Sequence, residues 1–154
     1  MTSIFSHPIR TALLALALGA TAAFAQGAQT WFTVLGDPDD PLANTIQVNP
    51  VPLSIEGEQR TMKVRVNRSA QRRNWDGLPY RSYESVVLFN CVNHTARYLA
   101  ADFYLEPGWK GDVVRATYPQ EPIRAMAFRD VEPNPTLRIM RAACSTGRGA
   151  GNQN

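Results

Sequence analysis

At 154 residues the chain has room for one hydrophobic core with short extensions, and not for two. Its 16 basic and 13 acidic side chains leave a formal charge of +3, which is too small an excess for a nucleic-acid binder. Lys63 and Lys110 are its only lysines, so nearly all of the basic charge is arginine, and two cysteines with two histidines are thin material for a metal cluster.

The first segment reads as an export signal. Met1 to Arg10 carries one positive charge, at Arg10. An apolar run, TALLALALGATAAF, follows, and Ala23-Phe24-Ala25 supplies the small-x-small cleavage pattern. The run falls short of the ~20 apolar residues that a spanning helix needs. Residues 1–25 are therefore expected to be a cleaved signal peptide, with the mature chain starting at Gln26. No cysteine stands at that junction, which argues against lipid attachment. Localisation is expected to be periplasmic, secreted or at the cell surface, without a membrane span.

TWFTVLG, Thr30 to Gly36, is rich in aromatic and β-branched residues and stops at a turn cluster from Asp37 to Pro41. NTIQV is a second strand candidate. TMKVRVNR alternates, with Met62, Val64 and Val66 on one face and Lys63, Arg65 and Asn67 on the other. SAQRRNWDGLP reads as a polar loop. Tyr80 to Val92 and Ala96 to Glu106 form the longest strand pair. A two-residue loop at Asn93-His94 would place Phe89 opposite Tyr98, Leu88 opposite Leu99 and Val86 opposite Ala101. Val86, Leu88, Leu99 and Phe103 would then share one face, and Tyr83, Val87, Phe89, Cys91, Tyr98 and Tyr104 the other. A hairpin apolar on both faces belongs inside a covered sheet. One face can take a helix; the other calls for a second layer or a second copy of the protein.

DVVRATY and IRAMAFRDV are further strand candidates. Asn134 is a good N-cap and Pro135 suits the first helical position. Leu137, Met140 and Cys144 follow at one-stripe spacing, while Arg138, Arg141 and Ser145 point away. A helix of about three turns is marginal alone. The domain is thus expected to span 26–145, with 146–154 a small, polar, disordered tail.

Cys91 and Cys144 in an oxidising compartment most simply form one disulfide, tying that helix to the middle of the sheet. Two buried free thiols, or pairing between chains, are the alternatives. Nothing in their spacing suggests redox chemistry.

Catalytic material is scarce. His7 leaves with the signal, so His94 is the only histidine of the mature chain, and it reads as a polar turn residue. Glu84 and Asp102 are the least unsuitable carboxylate pair, yet the register above points them to opposite faces. No catalytic residue, metal ligand or cofactor is expected. The better candidate is a surface: Arg68, Arg72, Arg73 and Arg81 surround Trp75 and Tyr80 in a loop with turn chemistry. Arginine and large aromatics are enriched where proteins bind partners, and they also suit polyanionic glycans. A solvated loop with Trp75 tucked onto the sheet is the plainer alternative.

YRSYESVVLFNC, followed by TARY and a C-terminal helix ending in AAC, resembles the surface-adhesin protein E family of Gram-negative bacteria. The likeness runs from Trp31 to Cys144 and is carried by Trp31, Tyr83, Ser85, Cys91, Thr95, Arg97, Tyr98, Tyr104 and Cys144. It implies an α+β fold, an antiparallel sheet of about six strands with the C-terminal helix held on one face by a disulfide. It also implies a homodimer and binding to host extracellular-matrix proteins. The founding adhesin is a lipoprotein, and this chain lacks the cysteine such an anchor needs. Three functions follow in order of preference. The first is an exported, non-enzymatic protein that holds a protein or glycan partner. The second is a periplasmic inhibitor or accessory factor of another envelope protein. The third is a hydrolase built around Glu84, His94 or Asp102.

Overall fold

The structure is a computed structural model that describes residues 30–128 and 130–146; the expected signal peptide and all of the expected tail but Thr146 lie outside the described residues. Its elements are β1 (Phe32–Leu35), β2 (Thr45–Val48), β3 (Ser54–Glu56), β4 (Gln59–Arg73), β5 (Pro79–Asn90), β6 (Thr95–Tyr104), β7 (Val113–Thr117) and α1 (Thr136–Ser145). They form one seven-stranded antiparallel sheet in the order β1-β2-β4-β5-β6-β7, with β3 also pairing on β4. The α+β expectation holds, with one more short strand than the sequence suggests.

One face, here the front, holds the core. Ile46 and Val48 of β2, Met62, Val64 and Val66 of β4, and Val87 and Phe89 of β5 are buried side by side. The alternation read in TMKVRVNR is therefore real, and it continues through the neighbouring strands. Helix α1 packs on the β1, β2, β4 and β5 part of this face. Its buried residues are Ile139, Met140, Ala143 and Cys144, whereas Leu137 is 66% exposed. The packed stripe is thus turned from the one expected, because Leu137 stands at its edge in the first turn. Burying a side chain the size of Ile139 or Met140 stabilises by roughly 1.5–3 kcal/mol. The helix starts one residue later than expected, with Pro135 at the N-cap position and no side-chain cap. Asn134 lies just before it, its Oδ1 accepting the Thr136 N–H at 3.0 Å and its Nδ2 donating to the Phe128 carbonyl at 2.7 Å.

Cys91 and Cys144 form the intrachain disulfide, across a sequence separation of 53 with their Cα atoms 5.6 Å apart. It fixes the last helical turn to the end of β5.

The β5–β6 hairpin departs from the expected register. Its loop is longer, so Phe89 pairs with Ala96 and Val87 with Tyr98, and Leu99 then bulges so that Val86 pairs with Ala100. The bulge brings Phe103 onto the front beside Tyr98 and sends Tyr104 to the back. Both faces of the hairpin are consequently not equally apolar. The shift also makes Glu84 and Asp102 direct neighbours on the back, where opposite faces were expected.

That back face carries a polar row running across the whole sheet: Thr33, Gln47, Arg65, Glu84, Asp102 and Arg115 are successive cross-strand partners. Gln47 donates to Thr33 at 2.9 Å and accepts from Arg65 at 2.6 Å. Lys63 holds Glu84 at 2.8 Å, and Arg115 holds both oxygens of Asp102 at 2.6 and 2.7 Å. The Arg65 guanidinium lies 4.4 Å from the ring centre of Trp31 and 4.0 Å from that of Trp109. Trp109 reaches this position with φ 58, held by bonds to the Ser82 hydroxyl and the Tyr83 carbonyl.

The described residues of IRAMAFRDV, 123–128 and 130–131, form no strand. The segment follows Pro119 and Pro122, which interrupt a ladder, and it meets β6 only through a bridge between Arg97 and Ala125. Met126, Phe128 and Val131 are nevertheless buried, so this segment covers the part of the front that α1 leaves bare.

Replacing Cys91 and Cys144 by alanine is expected to cost about 4 kcal/mol in the chain-entropy model. Denaturant titration followed by circular dichroism should show the helical signal lost before the sheet signal.

Candidate partner-binding site

The loop read as SAQRRNWDGLP is mostly strand. β4 runs on to Arg73 and β5 begins at Pro79, which leaves Asn74 to Leu78 as the turn. Asn74 organises it: its Oδ1 accepts the N–H groups of Asp76 at 3.0 Å and Leu78 at 2.9 Å. Gly77 takes φ 77, a conformation open to glycine, and its carbonyl accepts from Arg73 at 2.7 Å. A large bulge sets residues 68–71 of β4 against Arg81 alone, between the pairs Asn67–Ser82 and Arg72–Tyr80. Bulges bend the strand that carries them. Here the hairpin tip comes over the front face, and Trp75 meets Tyr98 and Tyr118 edge-on, with ring centres 5.5 and 5.4 Å away.

Beneath Trp75 lies a cavity of about 200 Å³ lined chiefly by aromatic side chains. Tyr80, Tyr83 and Phe103 pack on one another with centres 5.1–5.5 Å apart, in tilted and edge-on geometries. The hydroxyls of Tyr83 and Tyr98 share a 2.8 Å hydrogen bond in the floor. Burial pushes both phenols well above their ordinary range. Burial, aided by the nearby negative charge of Asp76, pushes Tyr118 up to about 12. Trp75 is 49% exposed and forms the outer wall, so it is neither fully tucked in nor fully solvated.

The six expected contact residues divide. Arg73, Trp75 and Tyr80 line the cavity. Arg68 is buried and pairs with Asp130, to which Arg72 also reaches at 3.3 Å. Those two arginines therefore fasten the irregular segment that closes over the front. Arg81 turns to backbone, donating to the carbonyls of Arg68 at 3.1 Å and Pro41 at 3.4 Å. Sequence reasoning missed Tyr83, Tyr98, Phe103 and Tyr118 as cavity residues, since they come from separate parts of the chain. It also passed over Asn74, which sits inside the loop but reads as a plain turn residue. The one signal was the shared face of Tyr83 and Tyr98. In addition, Arg124 sits over the Trp75 ring at 5.5 Å and adds a cation to the rim.

The hydrolase candidates do not converge. Glu84 and Asp102 are together on the back, each already paired with a cation, and the hydrogen bonds from Arg115 hold the Asp102 carboxyl below its usual range. His94 lies in the β5–β6 turn with φ 51, at the far end of those strands. Among the described residues no group of three or more His, Cys, Asp or Glu is arranged to hold a metal ion. Nor is any described helix long and apolar enough to cross a membrane.

The family model described as surface-adhesin protein E matches residues 31–145. No curated protein and no solved structure matches the chain.

The tyrosine cluster has a pH signature. Folding raises these phenol pKa values, so the native state keeps protons that the unfolded chain releases above about pH 10. Stability is expected to be intact below that point and to fall as pH climbs toward about 12, where Tyr118 titrates. Melting temperature against pH, with phenolate absorbance as the second readout, checks this. Tyr118→Phe should remove part of the loss.

Proposed function

The chain belongs to the surface-adhesin protein E family, and on that premise we propose that it is an exported, non-enzymatic binding protein of the cell envelope. Its partner is a protein or glycan, with extracellular-matrix proteins the leading class. The contact surface is the β4–β5 hairpin tip, Arg73, Trp75 and Tyr80, with Arg68, Arg72 and Arg81 holding it in place. The observation that carries this reading is Trp75, a large aromatic left 49% exposed above an aromatic cavity. Half-exposed tryptophan beside arginine is the composition that dominates binding hot spots. The homodimer belongs to the same reading, with the partly exposed back-face residues Val86, Leu88, Ala100 and Tyr104 available to a second copy.

Export is supported by the sequence of residues 1–25, and the exported protein should begin at Gln26 when its N-terminus is sequenced. A strictly periplasmic pool would shift the function to an inhibitor or accessory factor of another envelope protein.

For binding, immobilised mature chain should capture a partner from matrix or envelope fractions. Arg73→Ala with Trp75→Ala should reduce capture by about tenfold or more, as expected for a hot spot worth over 1.4 kcal/mol. Melting temperature should change little, because Arg68, Arg72 and Asp130 are left intact. Undiminished capture removes the hairpin tip as the contact surface.

A further inference from the structure

The cavity under Trp75 has a one-sided hydrogen-bonding character. Two of its buried polar groups, the Tyr118 hydroxyl and Asn74 Nδ2, make no hydrogen bond among the described residues. They are neighbours, with the Asn74 amide near enough to favour the Tyr118 phenolate but short of full hydrogen-bond geometry, so each keeps a donor to offer. The carbonyl oxygen of Asn74 is already committed to two turn N–H groups, so its unmet group is an N–H donor. Tyr83 and Tyr98 satisfy each other with one hydroxyl proton, which leaves the second proton unused. Arg73 lines the cavity and Arg124 stands over Trp75, whereas no carboxylate lines it. Asp76, on the turn, is the acid that faces Tyr118.

A fitting ligand therefore brings acceptors, few donors, and a compact apolar body that stacks on rings. A sugar ring fits less well: it carries hydroxyl protons for which the cavity offers only phenolic oxygens. A proline residue fits better. Its ring is apolar, its nitrogen has no proton, and the carbonyls around it accept hydrogen bonds. Proline-rich segments are preformed in an extended helix and dock on aromatic-lined grooves at low entropic cost. At about 200 Å³ the cavity suits one residue of a longer partner rather than a whole small molecule. The arginine rim favours acidic neighbours.

We propose that the cavity receives a proline from an extended, acid-flanked segment of a partner protein. The proline ring stacks against Trp75, and adjacent carbonyls accept from Asn74 Nδ2 and the Tyr118 hydroxyl. This inference rests on the hairpin tip being the contact surface.

The test titrates the mature chain with a capped decapeptide of Glu-Pro-Pro repeats, followed by the indole N–H signals in NMR. Saturable binding that moves the Trp75 indole signal, and leaves those of Trp31 and Trp109 in place, is expected. Replacing the peptide prolines by alanine should abolish it. Tyr118→Phe keeps the ring and removes the hydroxyl; Asn74→Asp keeps the turn acceptor and removes the donor. Each should weaken binding about tenfold, the value of one hydrogen bond to a buried group. The proline assignment is overturned if the alanine peptide binds equally, if both variants bind like the parent, or if no peptide binds. It is equally overturned if a neutral, sialylated or sulfated oligosaccharide moves the Trp75 signal and the peptide does not. When those failures occur while Arg73→Ala/Trp75→Ala still abolishes partner capture, only the proline assignment falls. When capture itself ignores that pair of substitutions, the contact surface falls and this inference with it.

Discussion

A broad antiparallel sheet has two faces to satisfy, and the described residues offer a single ten-residue helix with which to do it. That shortage of covering material organises everything else. A helix of that length does not hold itself together in water. It is kept by burying Ile139, Met140 and Ala143 on the aliphatic part of the sheet, and by the Cys91–Cys144 bond at its last turn. The staple sits where the helix would otherwise fray, at the end away from the Asn134 turn bonds. Turn and disulfide thus secure opposite ends of one short element.

Beyond the reach of the helix, the front is closed differently. A proline-interrupted segment bridges to the edge of β6 and is then anchored by Asp130 to Arg68 and Arg72 and by the buried side chains of Met126 and Phe128. Irregular backbone covers a sheet less tightly than a helix does. The gap it leaves is filled by aromatic rings, which pack edge-on and leave space between them. The cavity under Trp75 is therefore a consequence of how the sheet is covered. Its position over β5 and β6 follows from the bulge at Leu99, which gathers Tyr98 and Phe103 onto one face, and from the bulge that bends the β4–β5 hairpin inward.

The back face needs no such cover because its middle row is polar. Exposed ion pairs such as Arg115–Asp102 are individually worth little, because water screens them. Their contribution lies in register: a one-residue slip of any strand would remove its member from the row and turn core residues outward. The Trp31–Arg65–Trp109 stack does the same from outside the strands, tying the residue before β1 and the loop after β6 to the centre of the sheet. At one end of this face Asn67 donates to the carbonyls of Pro41 and Ala43 and accepts from Gly108, which fastens two loops to one side chain.

By itself the sequence determined what local patterning can determine. The alternation of Met62, Val64 and Val66, the turn residues between strands, the Asn134-Pro135 helix start, the two cysteines and the motifs shared with the adhesin family specify an antiparallel sheet with one stapled helix. Tertiary structure decided where patterning is ambiguous by a single residue. Side-chain direction along a strand has period two, so one bulged residue at Leu99 moved Phe103 to the core and made neighbours of Glu84 and Asp102. The helix stripe likewise turned until Ile139 and Ala143 faced the sheet and Leu137 faced solvent. The aromatic cavity was still further from view. Tyr83, Tyr98, Phe103 and Tyr118 are separated along the chain from the hairpin tip, and only strand pairing and a bent hairpin bring them to it. The arginines and Trp75 were legible as a cluster because they are local. Which of them anchor the fold and which face the cavity depends on Asp130, a partner that no local pattern links to them.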